Sequence, residues 1–165
     1  MPPGPEQSDE LGRLYDRLGP SLYRYALMIL GDRGAAEDAV HNVFVAMARK
    51  QLVKIESLDA YMRLAVRNAC YTQLRRERIR PMGDEDVNLL EAAASGAHPA
   101  EQLALASALR ALPADQREVV HLKVFEGLTC KEIAATTGDS VNTIAGRYRY
   151  ALEKLRKELG FGDRS

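Results

Sequence analysis

The 165-residue chain has no tryptophan, only three phenylalanines and two cysteines, and no uninterrupted apolar run exceeds the six residues of Tyr25 to Leu30. That run falls far short of the roughly 20 residues a membrane-spanning helix needs, so no membrane insertion is expected. Cys70 and Cys130 lie 60 positions apart, with no paired metal spacing, which argues against a disulfide framework or a zinc site. Both are expected to be small buried apolar residues. The first ten residues, MPPGPEQSDE, are acidic and proline-rich, where a secretory leader would be basic and then apolar. A cytoplasmic protein is expected. Charge of one sign is also lacking, with 23 Lys+Arg against 23 Asp+Glu. A hydrophobic fraction of 46% is enough to bury a core and too high for a chain disordered throughout.

Runs of alternating β-branched and aromatic residues are almost absent, whereas apolar spacings of three and four recur along the chain. The fold class is therefore all-α. Periodicity and stop signals predict helices over about 10–18, ending at Gly19-Pro20, and 21–30, ending at Gly31. Asp32 can cap a third, over about 35–50, with Ala36, Val40, Val43, Phe44 and Met47 on its core stripe. Ser57 can cap a fourth that reaches Arg78, with Leu58, Tyr61, Met62, Ala65 and Ala69 inward, and Pro81 stops it. Residues 81–98 combine Pro81, Gly83 and Gly96 with acids, and read as a linker in which 87–94 could form a short helix. Beyond it lie a helix closed by Pro113 and one over about 115–126, ended by Gly127. A short helix follows, opened by the capping box Thr129-Cys-Lys-Glu132 and stopped at Gly138. The last helix is capped by Asp139 or Ser140, with Val141, Ile144, Ala145, Tyr148, Leu152, Leu155 and Leu159 inward. The domain division is 10–80, a linker over 81–98, and 99–160.

The zero net charge is a sum of unlike parts. Residues 63–80 hold six arginines and one acid, residues 81–101 hold five acids and no base, and residues 140–157 hold five bases and one acid. Two basic segments flank an acidic one. In the second basic segment, a short helix, a turn at Gly138 and a helix with a basic outer stripe are the parts of a helix-turn-helix. Thr143, Arg147, Tyr150 and Lys154 fall opposite the core stripe, with Asn142, Gly146 and Arg149 alongside. Arginine can bridge guanine O6 and N7, asparagine can pair with adenine, and threonine and lysine can hold phosphate. An ordinary solvated face of a bundle helix would show the same pattern.

In the first basic segment, Arg67, Asn68, Tyr71 and Arg75 share a face that Arg76, Arg78 and Arg80 extend. Cations beside an aromatic platform and an amide suit single-stranded DNA, whose bases stack and expose their edges. The third helix carries Asp38, His41, Asn42 and Val45 outward, and an exposed valine among polar groups suits protein docking. His41 and Asp38 could form an acid-base or metal pair, but no third ligand or nucleophile has a defined place. The sequence holds no glycine-rich phosphate loop, Gly-x-Ser-x-Gly elbow or His-Glu-x-x-His helix. No enzymatic activity, cofactor or metal is expected.

From about residue 10 to 159, the order of these segments resembles the extracytoplasmic function (ECF) group, group 4, of the sigma-70 family. Asp38-Ala-Val-His-Asn-Val-Phe44 stands where the family usually has Asp-x-x-Gln-Glu/Asp-x-Phe. Leu58-Asp-Ala-Tyr-Met-Arg-Leu-Ala-Val-Arg-Asn68 with Arg75-Arg76 is similar to the segment that melts and reads the minus-10 element. The stretches 111–120, 125–134, 141–144 and 151–155 are similar to region 4. His41 and Asn42 replace a usual Gln and acid, Ala145 and Tyr150 stand where many members have Arg, and Tyr61 replaces a frequent Trp.

The resemblance implies an alternative-type sigma factor that binds core RNA polymerase, directs it to specific promoters and helps open them. Asp38, His41, Asn42, Phe44 and Val45 would dock on the clamp helices of the largest subunit. Arg67, Asn68, Tyr71, Arg75 and Arg76 would serve the minus-10 element, with Lys54 in the loop 50–56 that captures a flipped base in relatives. Asn142, Thr143, Gly146, Arg147, Arg149, Tyr150 and Lys154 would serve the minus-35 element, and region 4 would also meet the polymerase flap. The acidic linker would lie along the RNA exit path. With six residues after Leu159, no fused regulatory domain is expected, and an anti-sigma factor clamping both modules would supply control. Two rivals remain: a helix-turn-helix regulator acting without polymerase, which would leave the Arg67 to Arg75 face idle, and a sigma mimic that titrates an anti-sigma factor.

Overall fold

A computed structural model describes residues 5–49, 57–76 and 99–160, and among these every regular element is helical. The elements are α1 (Pro5–Leu30), α2 (Arg33–Met47), α3 (Leu58–Arg76), α4 (Pro99–Arg110), α5 (Ala114–Val120) continued by a π-helical turn (His121–Phe125), α6 (Cys130–Thr137) and α7 (Val141–Glu158). The expected linker 81–98, Arg78, Arg80 and the loop 50–56 with Lys54 lie outside the described residues.

The break expected at Gly19-Pro20 does not occur: α1 runs through it, with Pro20 inside the helix. A proline in a helix interior removes one backbone donor and costs about 3 kcal/mol. Packing outweighs that cost, because α1 buries Leu14, Leu22, Tyr25, Leu27, Met28 and Ile29, and each fully buried side chain of this size contributes about 1.5–3 kcal/mol. Gly31, at φ +71°, ends the helix in the left-handed region. The side chain of Asp32 then accepts from the Ala35 N–H at 2.8 Å and starts α2. α2 and α3 both pack on α1. Their shared core takes Val40, Val43, Phe44 and Met47 from α2 and Met62, Val66 and Cys70 from α3. Leu58, Tyr61, Ala65 and Ala69, expected inward on α3, are only partly buried around that stripe. Burial first, and then the charge of Glu118, pushes the Cys70 thiol up to about 12. That thiol is inert at neutral pH. Cys130, expected buried, is half-buried at the start of α6.

The second unit is organised around α7, which meets α4, α5 and α6. Ile144, Ala151 and Leu155 face Leu109, Leu112, Val119, Leu122 and Ile133 in its core. Val141 is 46% exposed and Ala145 is also exposed, contrary to expectation, so the first two turns of α7 bury only Ile144. The two units touch directly: α1 lies against α5 and the π turn, and α3 lies against α6. No helix among the described residues is long and apolar enough to cross a membrane.

Pro20 is exposed, and alanine there would regain a helical N–H without disturbing the core. Pro20→Ala is expected to raise unfolding stability by about 1–3 kcal/mol in urea titrations followed by circular dichroism. An unchanged or lower midpoint would show that the proline contributes a contact of its own.

Candidate nucleic-acid interface

The helix-turn-helix is built by local rules. Thr129 accepts from the Glu132 N–H at 3.1 Å and the Glu132 carboxylate accepts from the Thr129 N–H at 3.0 Å, which fixes the start of α6. Hydrogen bonds from the Thr129 backbone N–H first, and then from its side chain, hold the exposed Glu132 carboxyl below its ordinary range. Gly138, at φ +81°, closes α6. Ser140 accepts from the Thr143 N–H at 3.1 Å and so opens α7 after a three-residue turn. Of the residues expected to read duplex DNA, Asn142, Thr143, Arg149, Tyr150 and Lys154 are exposed on α7. Tyr150 is 58% exposed, and the Arg149 guanidinium stands 5.4 Å from its ring centroid. A Cβ at Gly146 would meet no atom within 4 Å, so open space lies beside this turn of backbone.

Arg147 behaves differently from the free reading side chain that the helical projection implies. Its guanidinium lies 2.7 Å from Asp139 Oδ2 and 3.3 Å from Asp115 Oδ2, tying α7 to the turn and to the first turn of α5. Helical projection cannot register carboxylates brought in from other elements. Tyr148, expected as packing, is half-buried with Lys123 Nζ 5.6 Å from its ring centroid.

The expected face on α3 divides in two. Asn68, together with Thr72 and Arg76, lines a polar cleft against Asp38 and Asn42 of α2. Arg75 is exposed and donates to Thr72 Oγ1 at 3.2 Å. Arg67 and Tyr71 turn instead toward α5, where Arg67 Nε and the Tyr71 hydroxyl each donate to the fully buried Glu118 carboxylate at 2.8 Å. The Tyr25 hydroxyl of α1 donates to the same carboxylate. The Arg67 guanidinium is 4.6 Å from the Tyr71 ring centroid. Burial raises the Tyr71 and Tyr25 hydroxyls well above the ordinary tyrosine range, and Glu118 raises them further, so both stay protonated donors. Burial opposes the charge on Arg67, but Glu118 beside it more than compensates.

Around this centre, Arg117 donates to the carbonyls of Met28 at 2.8 Å and Ile29 at 2.9 Å, placing a cation at the carboxyl end of α1. Glu126 lies 3.1 Å from Arg63 and accepts from Ser21 at 3.4 Å. His121 is buried and stacks on Tyr25 with ring centroids 5.5 Å apart. Its Nε2 is 3.4 Å from Glu126 Oε1, an ionic contact only when the ring is protonated.

The docking stripe on α2 exposes Asp38, His41, Asn42 and Val45, the last at 44%. Phe44, expected both on the core stripe and among the docking residues, is buried as that stripe requires and meets the Tyr15 ring edge-on at 4.9 Å between centroids. It props the stripe from beneath. A groove lined by Tyr15, Gly19, Tyr23, Arg33, Asp38 and His41 borders the stripe. No cluster of metal-ligating side chains occurs among the described residues.

Comparison with known proteins matches residues 14–79 to the family model described as sigma-70 region 2, and residues 102–155 to the one described as sigma-70, region 4. The chain is 28% identical over 157 residues to the ECF RNA polymerase sigma factor SigL of Mycobacterium tuberculosis, covering 89% of each. It is 27% identical over 145 residues to the RNA polymerase sigma factor SigV of Bacillus subtilis, covering 84% of each. Among solved structures it is similar to the sigma factor RpoE in complex with the anti-sigma factor NepR from Bartonella quintana (TM-score 0.70, 26% identity, 94% of this chain and 99% of that one). It is also similar to CnrH in complex with the cytosolic domain of CnrY (TM-score 0.67, 25% identity, 94% of this chain and 91% of that one). The chain belongs to the ECF group of the sigma-70 family.

Burial pushes the Glu126 carboxyl up, but His121, Arg63 and Ser21 together pull it further down, so its net position is below the ordinary 4.5. A depressed carboxyl stabilises the folded chain above its unfolded value, and that contribution is lost as pH falls through the folded value. Glu126→Gln is therefore expected to be less stable than the parent at neutral pH, with the difference shrinking as pH falls below the ordinary 4.5 and through the lowered folded value. A difference that grows in acid, measured by urea unfolding across this range, would refute the assignment.

Proposed function

We propose that this chain is an alternative sigma factor that binds core RNA polymerase, directs it to specific promoters and helps melt the minus-10 region. One observation carries the reading: a single chain presents, in family order, a docking stripe on α2, the exposed Asn68, Arg75 and Arg76 on α3 and a capped helix-turn-helix with a basic outer face. In the division proposed, residues 10–80 serve polymerase and the minus-10 element, 81–98 link, and 99–160 serve the minus-35 element. Asp38, His41, Asn42 and Val45 meet polymerase. Asn142, Thr143, Arg149, Tyr150 and Lys154 face the major groove, and Arg147 supports them from behind. Acting on polymerase places the protein in the cytoplasm.

An anti-sigma factor is the proposed controlling partner, because both similar solved complexes hold one and this chain aligns with each over 94% of its length. A stand-alone duplex regulator is the weaker reading, because it leaves the exposed α2 stripe without a role.

The test is runoff transcription on a genomic library with reconstituted holoenzyme, expected to give discrete start sites that polymerase alone does not. Failure to co-purify with core polymerase would instead favour a mimic that titrates an anti-sigma factor. Arg149→Ala is expected to reduce transcription from a cognate promoter about tenfold or more, since each base contact is worth about 1–3 kcal/mol, while core binding is unchanged. Normal transcription by that variant would remove Arg149 from the reading face.

A further inference from the structure

We propose that Asp139 determines what α7 recognises in duplex DNA: its carboxylate withholds the Arg147 guanidinium from guanine, so that the base pair opposite Arg147 goes unread. The proposal rests on the sigma-factor reading above and adds to it a positioning residue, one that sets specificity through its neighbour.

By position Arg147 belongs to the outer stripe of α7, four residues after Thr143 and three before Tyr150, both of them exposed. Its guanidinium is nevertheless engaged by carboxylates from outside the helix. Nη1 donates to Asp139 Oδ2 at 2.7 Å, and Nε lies 3.3 Å from Asp115 Oδ2. Only 25% of the Arg147 side chain is exposed, whereas Arg149 stands in solvent.

An arginine reads guanine by directing two parallel N–H groups at O6 and N7, and a guanidinium offers two edges for this: Nε with Nη2, and Nη1 with Nη2. In this chain each edge has one nitrogen on a carboxylate. Neither edge is free as a pair. The charge is spent as well, because two carboxylates face one guanidinium.

The two acids are not equivalent. Asp115 lies in the first turn of α5, where a carboxylate also offsets the amino-terminal end of that helix. Asp139 has no such second task, since Ser140 accepts the Thr143 N–H and caps α7. Asp115 holds the inner nitrogen and gives the side chain its direction, while Asp139 holds a terminal one. Removing Asp139 therefore frees the Nη1–Nη2 edge and leaves Nε anchored. Room for the freed group exists beside Gly146, where an added Cβ would meet nothing within 4 Å beyond its own helix. A partly exposed ion pair contributes little to folding, so α7 is expected to keep its helix without Asp139.

The test is selection by the full chain, without polymerase, from duplexes of about 20 base pairs with a randomised centre, at about 50 mM salt. The bound pool is sequenced. Asp139→Ala is expected to add a guanine preference of about fivefold or more at one position, absent from the wild-type pool. Combining it with Arg147→Gln is expected to abolish that gain, and preferences at the other positions are expected to stay as they were. Circular dichroism reports helix content. Should Asp139→Ala lose it, Asp139→Asn decides the matter, because it keeps the local shape and removes the charge.

An unchanged pool from a folded variant overturns the proposal, as does a guanine preference that survives Arg147→Gln. A uniform rise in binding to all sequences overturns it too, because the freed guanidinium would then sit on a phosphate. So does a weakening of preference at every position, the result expected if Asp139 merely supports the turn. None of these outcomes touches the functional reading, which stands or falls on transcription by wild-type holoenzyme.

Discussion

The placing of a buried carboxylate decides how the two halves of this protein sit together. Glu118 has no exposed surface, and a carboxylate moved from water to such a site needs donors on several sides. Three groups from α1 and α3 supply them, and the second unit must sit where Glu118 reaches the point on which Tyr25, Arg67 and Tyr71 converge. Apolar contacts around His121 and Tyr25 could tolerate a small slide, because hydrophobic burial is not directional. The hydrogen bonds could not. Arg117 on the carboxyl end of α1 and Arg63 beside Glu126 extend the same logic outward, each pairing a cation of one unit with acceptors of the other.

The neutral net charge acquires a structural meaning from these pairings. Arg67 meets Glu118, Arg63 meets Glu126, and Arg147 meets Asp139 and Asp115. Each basic face thus has part of its charge spent within the chain, and the exposed remainder on α3 and α7 is Arg75, Arg76, Arg149, Lys154, Arg156 and Lys157. Non-specific affinity for DNA scales with the phosphates neutralised, so pairing these arginines internally weakens the free protein more than its composition implies. It does so without lowering the charge available once the pairs are broken.

What the sequence made legible follows the range of each interaction. Asp32, the Thr129–Glu132 box and Ser140 act within three residues, and each cap stands where local rules place it. The core stripe of α2 follows from period alone, whereas that of α3 is turned by one position, burying Met62, Val66 and Cys70 and leaving the expected Leu58, Tyr61, Ala65 and Ala69 partly buried beside it. Gly19-Pro20 misleads because a local breaker was weighed without the long-range packing of α1, which overrides it. Phe44 lies buried on the core stripe of α2, where period places it. Glu118 was not found at all. Its partners lie 47, 51 and 93 positions away, and no spacing rule links them. The one available signal is the residue itself, an acid followed by Val119, Val120 and Leu122 in an apolar run with His121, where a solvated helix face would not be so apolar.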